Sequence, residues 1–135
     1  MFAKLLLGHL VGDYLLQTNW MAWNKTSKTP LGVWACHLHC LLYSICVSLF
    51  VGFSFLAEPS IIFLAFLIYC THYPIDKWSL AKYWVTDVLG REMPDFEKPL
   101  TFTGFIWGLV YVVADNTVHL LLMYAGIRMF FPELV

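Results

Sequence analysis

The stretch GHLVGDYLLQ holds His9 and Asp13 four residues apart inside a run that is otherwise apolar. A helix advances about 3.6 residues per turn, so positions i and i+4 share one face and aim an imidazole and a carboxylate at one point in space. The pattern recurs along the chain. HYPID places His72 and Asp76 at the same spacing, DNTVH gives Asp115 and His119 in reverse order, and HCLLY gives His39 and Tyr43, with His37 two positions earlier. All five histidines lie in the apolar segments, and none is left for the loops.

A carboxylate at the centre of a membrane helix opposes insertion by about 2.5 to 3.5 kcal/mol, so Asp13, Asp76 and Asp115 require compensation. Three arrangements supply it: hydrogen bonds between helices that act as polar glue, a proton or ion relay, and a metal site. Imidazole nitrogen and carboxylate oxygen are the usual ligands of zinc and, with more carboxylate, of manganese or iron, and a cation neutralises the buried charge directly. The residue types therefore favour a divalent metal held by His9, Asp13, His39, His72, Asp76, Asp115 and His119. That set is large enough for two ions, and soluble helical bundles also draw carboxylate-bridged sites from facing helices. Asp13 and Asp76 are the candidate catalytic carboxylates. CHLHC looks like a zinc knot, but neighbouring helical residues point in different directions, so Cys36, His37, His39 and Cys40 cannot all reach one ion.

These pairs need helices to hold them, and composition says where. Of 135 residues, 60% are hydrophobic and 13% charged, with a mean hydropathy of +0.70, which is a membrane composition. Crossing a bilayer core takes about 20 helical residues. Four segments approach this, at about 2–16, 32–57, 60–75 and 101–126, separated by stretches containing Pro30, Pro59 and Pro99. Starting the fourth near 108 and ending it near 131 brings Asp115 level with the other pairs, and that register is preferred. The expected fold is all-α: one transmembrane domain over 1–135 with four membrane helices. The opening MFAKLLLGHLVG reads as a retained first helix, since His9 and Asp13 interrupt it and no small-residue cleavage site follows.

Of the eight Lys and Arg residues, Lys25, Lys28, Lys77, Lys82, Arg91 and Lys98 fall in the loops at 17–31 and 77–100. Positive charge is retained inside, so both loops should be cytoplasmic. Trp20, Trp23, Trp78 and Trp84 flank them as interfacial aromatics do. The segment 76–85 places Trp78, Ala81 and Val85 at i, i+3 and i+7, the pattern of a cytoplasmic interfacial helix. A net charge of -1 with dispersed basic residues argues against a nucleic-acid partner. The four cysteines lie in apolar runs without a C-x-x-C pair and read as free thiols.

In their order along the chain, HLVGDYLLQTNWMAWNK, HCLLY, THYPID and DNTVHLL resemble a family of small bacterial and phage membrane proteins of unknown function. The resemblance covers most of the chain and implies a polytopic inner-membrane protein in which His9, Asp13, His39, His72, Asp76, Asp115 and His119 match the motif positions. His37 lies outside them. It implies no activity. The ligand types lead to a metal-dependent hydrolase acting on a lipid-like or phosphate-bearing substrate at the membrane surface, in which the metal acidifies a bound water and an Asp serves as base. A proton- or ion-coupled transporter or channel, and a non-catalytic protein held together by the cluster, are the other classes.

Overall fold

The computed structural model describes residues 2–52, 60–93 and 101–134. Pro59, Lys98 and Pro99, used above to delimit and orient the spans, lie outside the described residues, as does the end of the second expected span. Among the described residues every regular element is helical. α1 (Phe2–Leu10) runs into a widened turn, Val11–Leu15, in which Leu16 N–H donates to the Val11 carbonyl at 3.0 Å, five residues back. α2 (Asn19–Asn24) is short; α3 (Pro30–Gly52), α4 (Ser60–Lys77) and α6 (Phe102–Phe130) are long. α5 (Leu80–Tyr83) leads into a second widened turn, Trp84–Val88, and a single 3-10 turn, Pro132–Leu134, follows α6.

Threonines start three of these helices. Thr18 Oγ1 accepts the Met21 N–H at 3.3 Å, Thr29 Oγ1 accepts the Gly32 N–H at 3.1 Å, and Thr101 Oγ1 accepts the Gly104 N–H at 3.1 Å. Each satisfies a backbone donor with no partner inside the helix. Pro30, first in α3, lacks only an N–H that would go unpaired there.

α1, α3, α4 and α6 form an up-down-up-down bundle. α1 runs antiparallel to α3: Gly8 meets Val47 and Phe50 at one end, and Asp13 meets His39 at the other. A Cβ on Gly8 would lie 3.1 Å from the Val47 Cα, so the small residue sets how close the two backbones come. α4 runs antiparallel to α6, with Phe63 against Phe130 and Phe131 at one end and His72 against His119 toward the other.

Each long helix turns one row of residues, spaced by four, toward the bundle axis. In α4 the row is Leu64, Ile68, His72 and Asp76; in α3 it is Val51, Val47, Tyr43 and His39; in α6 it is Ile127, Met123 and His119. Leu5 and His9 continue it in α1. Because the helices alternate in direction, the apolar members gather at one end into a single core, which includes Leu5, Val47, Leu64, Ile68 and Ile127. The polar members gather at the other.

Two expectations change here. Only α3, over Pro30–Val51, and α6, over Phe102–Phe130, are long and apolar enough to cross a membrane among the described residues, not four helices. α1 with its widened turn ends at Leu15, and α4 has only 18 residues, the last of them THYPIDK. Nor is 76–85 one helix. Asp76 and Lys77 close α4, Ser79 adopts a left-handed φ of 48°, and a new helix starts at Leu80. Ala81 and Val85 are buried while Trp78 is exposed, because the left-handed residue rotates Trp78 out of phase with them.

The interior row makes a direct expectation. Ile68→Ala, in the core, should lower stability by about 2 to 5 kcal/mol in detergent unfolding, and Ile62→Ala, on the outer face, by less than about 0.5 kcal/mol. Equal losses would contradict the packing.

Candidate metal centre

At the polar end of the bundle the Nε2 atoms of His39, from α3, and His72, from α4, lie 3.0 Å apart. Carboxylates flank the pair. Asp13 Oδ1 is 3.2 Å from His39 Nε2 and 3.6 Å from His72 Nε2. Asp76 Oδ2 is 2.9 Å from His39 Nε2 and 3.2 Å from His72 Nε2. The other Asp76 oxygen, Oδ1, faces His119 Nε2 at 3.4 Å, and Asp115 Oδ2 lies 3.8 Å from that same nitrogen. His39, His72, Asp76 and His119 are buried.

The local structure explains how these groups reach one another. The widened turn holds Asp13 and Gly12, and such turns recur where a helix must re-aim a functional side chain. Gly12 is required by close approach, since a Cβ there would lie 2.6 Å from Tyr43 Cδ2. Tyr43 in turn stacks on His72, ring centroids 3.6 Å apart, and its hydroxyl shares a hydrogen bond with His9 Nδ1 at 2.8 Å. The second His9 nitrogen, Nε2, donates to Asn116 Oδ1 at 2.7 Å, and Asn116 Nδ2 donates to the Tyr14 hydroxyl at 2.7 Å.

Lys25 enters from the turn after α2 and donates to Asp76 Oδ2 at 2.8 Å. Lys77 holds that turn in place by donating to the Lys25 and Ser27 carbonyls at 3.2 and 2.7 Å. Burial opposes the Lys25 charge, but Asp76, with Asp13 and Asp115 behind it, outweighs burial and holds the ammonium above the ordinary lysine range.

Of the seven expected ligands, the bundle brings Asp13, His39, His72, Asp76 and His119 together, with Asp115 at the edge. His9 is buried beside Asp13, 3.3 Å from Oδ2, but both its nitrogens are engaged by Tyr43 and Asn116. Tyr43 lies one turn from His39 in α3 yet bonds His9 on α1. His37 faces outward, hydrogen-bonded to Tyr69 and stacked on Tyr73.

Three participants were not singled out by spacing. Lys25 sits in a polar loop like any solvated lysine, and Asn116 has no motif of its own. Cys40 points inward while His37 does not, and Cys40, His72 and Asp76 each place a donor atom within 4.8 Å of the others, as do Asp13, His39 and His72. Among the described residues several polar atoms inside the cluster lack a well-aligned hydrogen bond: Asp13 Oδ1, His72 Nδ1 and both ring nitrogens of His119. Buried groups of this kind are uncommon and call for an explanation such as a water, an ion or a catalytic role.

Fold and site together define a class: an all-α bundle with membrane-like helices and a buried His/Asp cluster whose donor groups can hold a metal ion. The chain belongs to a family described as proteins of unknown function (DUF3307), whose family model matches residues 1–133. No curated protein and no solved structure matches it.

Tyr43 is the structural hinge of the cluster, which gives a second expectation. Gly12→Ala should force the Tyr43 ring away from α1 and lower stability by about 1 to 3 kcal/mol, the usual cost of overpacking. Gly12→Ala combined with Tyr43→Leu should recover part of that loss. An additive pair of losses would contradict the contact.

Proposed function

We propose that the protein is a multi-pass inner-membrane hydrolase that holds a catalytic divalent metal through Asp13, after α1, His39 on α3 and His72 on α4. The observation that carries this reading is one triangle of donor atoms. Zinc bound at about 2.0 to 2.1 Å in a tetrahedral shell separates its ligands by about 3.3 Å. The edges among Asp13 Oδ1, His39 Nε2 and His72 Nε2 are 3.0, 3.2 and 3.6 Å. Three protein ligands with a fourth position open is the catalytic form of such a site. Asp13 Oδ1, otherwise an orphaned carboxylate oxygen, gains a partner.

Charge supports the same reading. With neutral imidazoles, as ligands must be, Asp13, Asp76 and Asp115 against Lys25 leave two negative charges in an apolar bundle. One divalent cation cancels them. Zinc suits the donors best, with manganese or iron as the alternatives. A metal held there would acidify a water and stabilise charge on the attacked group. Asp76, beside the same two nitrogens and held by Lys25, would be placed to accept a proton. His9 is a positioning residue that fixes Tyr43, and through it the His72 ring.

The substrate is lipid-like or phosphate-bearing and is reached from the bilayer. An apolar furrow of about 380 Å³, lined by Phe2, Thr117, Leu120, Leu121 and Tyr124, runs along α1 and α6 away from the polar layer and suits an acyl chain. Exposed apolar side chains on the shorter helices, among them Phe2, Leu7, Ile62 and Phe66, suit lipid around the whole bundle, with α1 and α4 completing a four-helix membrane domain. Exposed Trp20, Trp23, Trp78 and Trp84 and the basic residues of 17–31 and 77–93 favour a cytoplasmic mouth. A proton relay is the second reading, favoured by the short His39–His72 contact between two carboxylates.

Purified without chelator, the protein should carry a stoichiometric divalent metal and release product from a lipid phosphate ester in detergent micelles. A chelator should abolish both, and added zinc or manganese should restore them. Asp13→Asn and His72→Asn should lose the metal. Unchanged metal content and melting temperature in both variants would defeat the metal site, and activity that survives chelation would favour the relay.

A further inference from the structure

Among the described residues His119 has two buried nitrogens without a well-aligned hydrogen bond, more than any other side chain. The residue is 2% exposed. Its Nε2 faces Asp76 Oδ1 at 3.4 Å and Asp115 Oδ2 at 3.8 Å, and its ring centroid lies 4.2 Å from that of His72. Asp76 is thus divided between two neighbourhoods: Oδ2 is turned to His39, His72 and Lys25, and Oδ1 to His119.

From this geometry we infer that His119, Asp115 and Asp76 Oδ1 form a second divalent-cation site beside the first, filled together with an oxyanion of the phosphate type. The inference rests on the metal site proposed above. The orphaned imidazole points to a ligand, and the two oxygens supply hard donors that suit manganese or magnesium as well as zinc. Asp115 lies nearer the surface, with its side chain 25% exposed against 12% for Asp13.

The requirement for an anion follows from charge. One divalent ion already cancels the excess of three carboxylates over the Lys25 ammonium, so a second leaves the buried centre with two positive charges. An ion pair without a counter-charge is disfavoured in a low-dielectric interior. A phosphate-type oxyanion spanning both ions removes the excess. Cation and anion then bind cooperatively, and each must tighten the other by the same factor. This assigns the substrate class: a phosphate monoester or diester enters with the second cation.

The test is manganese binding to the detergent-solubilised full chain, followed by calorimetry and by the electron paramagnetic resonance signal, with and without inorganic phosphate. The parent should bind one ion regardless of phosphate and a second at least tenfold more tightly with phosphate present, and the doubly loaded form should lose the six-line signal of isolated manganese. His119→Asn and Asp115→Asn should each bind a single ion with the six-line signal and no response to phosphate; retention of the first ion reports that the fold is intact. Asp76→Asn should lose the second ion as well. Saturation of the parent at one ion, or a phosphate-dependent second ion in His119→Asn and Asp115→Asn, overturns the inference while leaving the first site standing. A parent that binds no ion defeats the metal site itself. Replacing inorganic phosphate by vesicles with phosphatidic acid headgroups separates the sources: tightening by both shows that the phosphate group alone is read, and by vesicles alone that the lipid is needed. Tightening by neither overturns the inference.

Discussion

The structure depends on the burial of Asp13 and Asp76 against the His39–His72 pair. Carboxylates taken out of water cost several kcal/mol each unless a counter-charge and hydrogen bonds replace their hydration. The bundle answers from every side: imidazoles from α3, α4 and α6, an ammonium from the turn after α2, and a second lysine that fixes that turn by its carbonyls. Even so, among the described residues an Asp13 oxygen and the His119 nitrogens have no well-aligned hydrogen bond. A cluster built only for helix association would be expected to satisfy its own groups, as half-satisfied networks cost more than apolar packing.

Tyr43 connects this polar layer to the apolar one. Its ring covers His72, its hydroxyl reaches His9 and lies 3.8 Å from the Met123 sulfur, and the ring edge fills the space that Gly12 leaves open. The same residue belongs to the apolar core with Val47 and Ile68. The apolar core and the polar cluster therefore share one side chain, so the position of the His72 ring is tied to how tightly α1 packs on α3.

Much of the site was legible because its spacing repeats. Residues four apart in HLVGD, HCLLY, HYPID and DNTVH mark one face of each helix, and that face is interior in all four. The same rows continue into Val47, Ile68 and Met123, so the apolar core could have been read by extending each pair by one or two steps of four. What spacing does not contain is contact between helices. It assigns His39 to Tyr43, whereas Tyr43 bonds His9, and it leaves Lys25 among ordinary loop lysines although that residue enters the site. It also assumes regular helices. The widened turn at Val11–Leu15 and the left-handed Ser79 depart from that assumption, the first aiming Asp13 and the second breaking the expected interfacial helix. Length misled as well, since polar residues at the ends of α1 and α4 serve the site at the expense of span length.

The central claim is that His39 and His72 share a metal with Asp13, and X-ray absorption at the metal edge of the purified protein addresses it directly. The expected spectrum has a shell of nitrogen and oxygen donors at about 2.0 to 2.1 Å, with the outer-shell scattering of two imidazoles, and the metal edge should be lost in His72→Asn. The protein without an absorbing metal, or with a sulfur shell near 2.3 Å from the neighbouring Cys40 in place of the second imidazole, would contradict it.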